Sequence, residues 1–367
     1  MNIVEWDLVL GNNRVTPRTP YGPTWRQHRR FLNRALMAPI VKRDYSGPMI
    51  RKRIEFLNVL LDRPEDFILV NKTMTAEIIT EIAYGMIGDD EDGGHDFVNM
   101  HINVAKITAT AAEGYLVDYF PWMKHIPPWF PFAQWKRDAI QWGKEYNFAR
   151  DYMFETVKKQ LLDTRGEGMP VSFVRSMLEE VYAQQATKGE EELQRDEKVI
   201  KDTSFSFFRA GAETTESVIR TFFFTMTFFP EFQAKVRSEI DAVIGPDRFP
   251  SIEDKGPEKM PYLEATLLEC MRWHAPVSSN IPHLPIRDDT FQGYFIPKGT
   301  TVIANAWYVG RDPQIYPEPE VFNPERFLKR SEDGGPLTVN TSILNPLEYV
   351  FGFGRRICPG RDLAVYN

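Results

Sequence analysis

Three observations predict a mainly α chain with a small β-rich part, an α+β class. Apolar residues recur with helical period from about Pro23 to Met271. After Arg272 the texture changes to short β-type runs separated by turns containing Gly and Pro. Finally, Phe351-Gly352-Phe353-Gly354-Arg355-Arg356-Ile357-Cys358-Pro359-Gly360 reads as a Gly-rich loop built around one cysteine. One domain over residues 1–367 is expected, with a helical body at about 20–272 and the β-rich part and cysteine loop at about 273–367.

The elements follow in order. Trp25-Arg26-Gln27-His28-Arg29-Arg30 begins a basic amphipathic helix, and Trp25 and Arg29, four apart, share one face. Gly88 to Gly94 is an acidic turn. Phe120 to Phe132 sets four prolines among large aromatics and reads as a non-helical apolar connection. Lys188-Gly189-Glu190-Glu191-Glu192 reads as a solvated loop leading into a long apolar helix from about Val199 to Phe229, with Gly211 at its middle. Pro230 ends that helix, because the residue before a proline is pushed out of helical geometry. Phe291 to Ile296 and Thr300 to Asn305 are the β-type runs, and Phe322 to Phe327 leads into a polar loop at Lys329 to Pro336.

Composition narrows the function. Of 367 residues, 43% are hydrophobic and 26 are Phe, enough for a large core or an apolar cavity. A net charge of −7 argues against nucleic-acid binding, which normally shows a basic footprint. Two cysteines, Cys270 and Cys358, exclude a disulfide scaffold and a four-cysteine zinc site. No apolar run reaches membrane-spanning length, and the opening residues lack the basic start and apolar middle of a signal peptide.

Four motifs carry chemistry. Around Cys358, Gly354 and Gly360 permit torsions that a side chain would forbid, and Arg356 lowers a thiol pKa from its usual value of about 8.5. The plainer reading is a buried structural cysteine. Ala210-Gly211-Ala212-Glu213-Thr214-Thr215 interrupts an apolar helix with Gly, acid and hydroxyls, implying a groove lined by polar groups; a small-residue helix crossing is the alternative. Glu269 and Arg272, three apart amid Leu267, Leu268, Met271 and Trp273, form a pair whose burial needs a further partner, for which Arg326 is the candidate. Trp25 and Arg29 make the fourth, beside the reading of an ordinary basic helix.

Read as F-x-x-G-x-R-x-C-x-G, the cysteine loop resembles the signature of the cytochromes P450. The other three motifs match that family in its order, and the resemblance, closest to fungal microsomal members, covers essentially the whole chain. It implies haem b, with Cys358 as proximal thiolate ligand within a loop shaped by Phe351, Gly354, Arg356 and Gly360. Trp25, Arg29 and His283 would hold the haem propionates, and Glu213 and Thr214 would relay protons. Glu269, Arg272 and Arg326 would form a structural triad. Phe205, Phe208, Ala210, Val277, Ser278 and Ile281 are the candidate substrate-pocket residues, pointing to a hydrophobic small molecule.

The implied reaction inserts one atom of O2 using electrons from NADPH–cytochrome P450 reductase. A basic face of Arg26, Arg29, Arg30, Arg34, Arg355, Arg356 and Arg361 would dock that reductase. Trp122, Trp129, Phe130, Phe132 and Trp135 would meet a membrane surface, and the family implies the endoplasmic reticulum. Against the family pattern the sequence lacks an anchor and stops soon after the cysteine, so a P450 fold incomplete at both termini is expected. The alternatives are a non-catalytic remnant, or a P450-type isomerase or dehydratase, which retention of Glu213 and Thr214 argues against.

Overall fold

A computed structural model describes residues 4–11, 15–85, 97–251, 253–330 and 335–366. Its helices begin with α1 (Pro23–Ala35), α2 (Ala38–Ile40), α3 (Ser46–Asp62), α4 (Phe67–Tyr84), α5 (Phe97–Ala111), α6 (Leu116–Tyr119) and α7 (Gln134–Thr164). They continue with α8 (Phe173–Tyr182), α9 (Glu190–Phe228), α10 (Pro230–Ile244) and α11 (Pro261–Trp273). Then come β1 (Asp289–Phe291), β2 (Tyr294–Ile296), α12 (Ala306–Val309), β3 (Leu328–Lys329), β4 (Thr338–Val339), α13 (Leu347–Val350) and α14 (Arg361–Tyr366). The mainly helical class with a small β part is the one observed. The acidic turn at Gly88 to Gly94 lies outside the described residues.

The chain divides into two compact units, Met1–Glu213 with Asp362–Asn367, and Thr214–Arg361. The division falls inside α9, whereas the sequence texture changes after Arg272. Texture marks where the type of secondary structure changes, not where tertiary contacts thin.

In the first unit α3 packs along α4, α4 on α5, and α7 on both α5 and α8. Its core is aromatic. Tyr84 meets Phe208 edge-on at 5.7 Å between ring centroids, and Tyr146 meets Phe205 at 4.9 Å. A side chain on Gly143 of α7 would lie 2.8 Å from the Leu8 carbonyl, so glycine lets the Val4–Val9 turn lie directly on that helix. Asp362 accepts a hydrogen bond from the Ala38 amide at 3.0 Å, tying the chain's last helix to α2.

Helix α9 begins at Glu190, so Glu190 to Glu192 are its first turn and not a loop. Carboxylates are favourable there, beside the unpaired amides and positive dipole end of a helix. The other end stops as the proline dictates: Phe228 is the last helical residue and Pro230 opens α10.

The second unit packs Met226, Val236, Tyr262, Cys270 and Phe322 into one core, with Phe229 stacked on Phe322 at 5.1 Å. Its β content is small. The run Phe291 to Ile296 is not one strand but a hairpin, pairing Asp289 with Ile296 and Phe291 with Tyr294. Gln292 (φ 51°) and Gly293 (φ 84°) turn it, both left-handed as a tight two-residue hairpin requires. Thr300 to Asn305 is no strand either; it contributes one bridge, His283 with Val302. Lys329, expected in a polar loop, is in β3 and pairs with Thr338.

Candidate active site

The cysteine loop follows α13 in the second unit. Gly352 (φ 77°) and Gly354 (φ 56°) are left-handed, so the chain reverses where L side chains are strained. The Cys358 amide then donates to the Phe351 carbonyl at 2.8 Å, closing the turn on itself. The result presents Cys358 to solvent, with Arg355 exposed and Arg356 half-buried. A side chain at Gly360 would stand 3.8 Å from the Cys358 sulfur, and glycine leaves that side open. Cys270 is the opposite case. It is buried, lies 3.5 Å from the Thr225 hydroxyl, and burial pushes its thiol up to about 12. Of the two sulfurs, Cys358 is the exposed one, in a loop that also carries Arg355 and Arg356, and Cys270 is the buried one.

Behind this loop in sequence, Glu269, Arg272 and Arg326 come together. Arg272 donates from Nε and Nη2 to the two oxygens of Glu269, at 2.6 and 2.7 Å, with both side chains fully buried. Arg326 approaches the same carboxylate at 3.2 Å. Such a group survives burial only when its remaining donors are satisfied. They are: Arg272 Nη1 donates to the Gly310 and Pro319 carbonyls at 2.5 and 2.8 Å, and Arg326 Nη1 to Pro317 at 2.5 Å. Gly310 is forced, since a side chain there would lie 2.5 Å from the Arg272 carbonyl oxygen.

Helix α9 corrects two expectations. Gly211 is not merely an opening: a β-carbon on it would sit 2.3 Å from Ile79 Cδ1 and 2.6 Å from Cγ1, so α4 crosses α9 here at close range. Phe205 and Phe208 do not share a face with Ala210. At 100° per residue they lie on the opposite side of the helix, 1% and 0% exposed, packed on Tyr146, Tyr84 and His101 in the core. The family resemblance of this helix pointed to a pocket, but helical phase and burial assign these two to the interior. Ala210 and Glu213 are exposed on the other face, and Thr214 is half-buried.

On α1, Trp25 is buried and Arg29 lays its guanidinium over the indole at 5.9 Å. Arg26 and Arg30 are exposed, but Arg34 is ion-paired with Glu180 of α8 and does not belong to an open basic face. Sequence reasoning passed over His28, which is 1% exposed and bonds the Thr16 hydroxyl through Nδ1 at 3.0 Å. Burial drops its pKa to about 4. Its spacing from Trp25 and Leu32, three and four residues, would have placed it on the apolar face.

His283 is exposed, and its backbone pairs with Val302 in both directions. Val277 is half-buried, while Ser278 and Ile281 are exposed.

A family model described as "Cytochrome P450" matches residues 12–367. The chain belongs to the cytochrome P450 family. The cytochrome P450 monooxygenase COX2 of Coprinopsis cinerea is 34% identical over 364 residues, covering 99% of this chain and 65% of that protein. Cytochrome P450 monooxygenase claR of Ampulloclitocybe clavipes is 33% identical, covering 98% and 63%. The chain thus spans a little under two thirds of the length of these curated relatives. A zebrafish cytochrome P450 structure, described with abiraterone, superposes with a TM-score of 0.67 at 23% identity, over 98% of this chain and 74% of that one, and shares the fold. P450 membership implies a haem cofactor, which agrees with the outward sulfur of Cys358. Among the described residues no helix is long and apolar enough to cross a membrane.

Proposed function

We propose that the protein is a haem-thiolate monooxygenase that inserts one atom of O2 into a hydrophobic organic substrate. NADPH–cytochrome P450 reductase would supply the electrons. The observation that carries this reading is the cysteine loop, which turns Cys358 outward on two left-handed glycines in a chain of this family.

Haem b, when bound, supplies the redox chemistry that activates dioxygen. Cys358 would hold it through Sγ, and Phe351, Gly354, Arg356 and Gly360 would keep the sulfur's turn in shape. By the family resemblance Trp25 and Arg29, and separately His283, would be propionate contacts. The Glu213 carboxyl, exposed on α9, passes protons toward the hydroxyl of Thr214, the next residue on the same helix. Glu269, Arg272 and Arg326 take no part in the chemistry and hold the chain behind the cysteine loop.

Isotope labelling under 18O2 with NADPH and the reductase tests this. One labelled oxygen in the product, with no product when NADPH is omitted, is the expected result. Unlabelled product formed without NADPH would support the isomerase or dehydratase reading instead.

The reductase would dock on exposed arginines such as Arg26 and Arg30 of α1. The connection Phe120 to Phe132 would rest on the endoplasmic reticulum membrane. It holds a 3-10 turn at Pro121–His125, and its Trp122, Trp129 and Phe132 are 66%, 78% and 95% exposed. Its backbone is held from behind, for Lys136 donates to the carbonyl of Ile126 at 2.7 Å and Arg137 to that of Pro128 at 2.6 Å. Aromatic side chains on so tethered a loop suit the interface of a bilayer.

A further inference from the structure

Arg209 stands immediately before the Ala210 to Thr214 segment of α9, in a run that is otherwise Phe207, Phe208, Ala210, Gly211 and Ala212. Helical phase puts it one turn from Glu213 and one turn from Phe205, about 40° from each, at the boundary between the exposed Ala210–Glu213 strip and the buried Phe205 side. It is half-buried, and its Nε is sealed from solvent with no hydrogen-bond partner. Three other arginines of the same unit are matched: Arg51 with Glu81, Arg150 with Asp151 and Asp202, Arg175 with Glu179. Arg209 has no such carboxylate partner among the described residues. Glu5 and Tyr146 are near enough to feel its charge. The other side chain of this strip is already engaged, since the Ser206 hydroxyl accepts the Thr16 amide at 3.2 Å.

A guanidinium whose Nε is left without its hydrogen bond in a partly desolvated place is unfavourable unless something completes it. Its planar fork matches a carboxylate in two parallel bonds, which a neutral carbonyl or hydroxyl does not reproduce. We infer that Arg209 is a specificity-determining residue that binds the carboxylate of an otherwise apolar substrate. The inference rests on the reading of the Ala210–Glu213 face as the substrate side of α9.

The test compares dodecanoic acid with methyl dodecanoate, titrated calorimetrically into the full haem-loaded chain at pH 8. Wild type should bind the acid about tenfold more tightly than the ester, the size of a charge-assisted bond. Arg209→Gln should bring the two within about twofold while leaving ester affinity unchanged. Equal affinity in wild type, absence of acid binding, or an acid preference that survives in Arg209→Gln each overturns the assignment. Should Arg209→Gln lose the native far-UV spectrum, Arg209→Lys decides the matter: a preference between wild type and parity supports the fork, and one equal to wild type refutes it. The reduced CO spectrum of the same samples keeps the two readings apart. Without a thiolate-type band the haem assignment fails, whatever the calorimetry shows. With the band but no acid preference, Arg209 alone is misassigned.

Discussion

Replacing Gly211 by alanine sets a gain in helix propensity against a steric collision. Alanine is favoured over glycine by about 1 kcal/mol in a helix interior. Its methyl, however, would stand 2.3 Å from Ile79 Cδ1 and 2.6 Å from Cγ1, where carbon atoms prefer roughly 3.5–4.0 Å. Ile79 is 3% exposed and cannot swing into solvent, so the helices must separate or its rotamer must change. Overpacking of this kind costs about 1–3 kcal/mol, which leaves Gly211→Ala destabilised by up to about 2 kcal/mol after the propensity gain. Ile79→Ala alone opens a cavity and costs about 2–5 kcal/mol. In the double variant the new methyl fills part of the space that Ile79 vacated, so the two losses should not add, and a favourable coupling of about 1–3 kcal/mol is expected. Urea unfolding of the four proteins, read from the midpoint at constant slope, measures it. A stabilising Gly211→Ala, or strict additivity, would refute the close crossing of α4 and α9.

Other consequences follow from the buried groups. His28 and His101 are 1% and 2% exposed, and burial drops both pKa values to about 4. Because the unfolded chain takes up these protons near pH 6.5 and the folded chain only near 4, stability should be flat above about pH 7. It should then fall by about 3 kcal/mol per histidine between pH 6.5 and 4. His101→Leu should flatten that fall, and an unchanged slope in pH-dependent melts would contradict the burial. Glu269→Gln leaves Arg272 and Arg326 without their carboxylate and should cost about 3–5 kcal/mol, whereas loss of under 1 kcal/mol in urea would show the triad to be incidental. Gly310→Ala should destabilise more than Gly211→Ala, because its methyl meets the backbone oxygen of Arg272 at 2.5 Å and no side chain can yield; equal midpoints would count against that geometry.

What the sequence made legible was chiefly local. Proline at 230 fixed the end of α9, and Glu269 and Arg272 three apart in an apolar helix announced a buried pair. The cysteine loop was readable because its glycines and arginines sit within ten residues. What escaped depended on contacts distant in sequence. Gly211 read first as a polar groove, with a small-residue helix crossing as the alternative, because nothing near it reveals that Ile79, more than a hundred residues earlier, crosses at that point. Phe205 and Phe208 looked like pocket residues until the packing of Tyr84 and Tyr146 showed which face of the helix is buried. Arg34 looked available until Glu180 on another helix took it. The hairpin at Asp289–Ile296 hid behind a continuous β-type composition, because Gln292 is an unusual residue at a left-handed position.

The central claim is that Cys358, and not Cys270, carries the haem. The reduced-minus-CO difference spectrum of wild type, Cys358→Ala and Cys270→Ala tests it directly. The red-shifted Soret band of thiolate ligation should appear in wild type, persist in Cys270→Ala and vanish in Cys358→Ala. A band that survives Cys358→Ala, or none in wild type that has taken up haem, would contradict it.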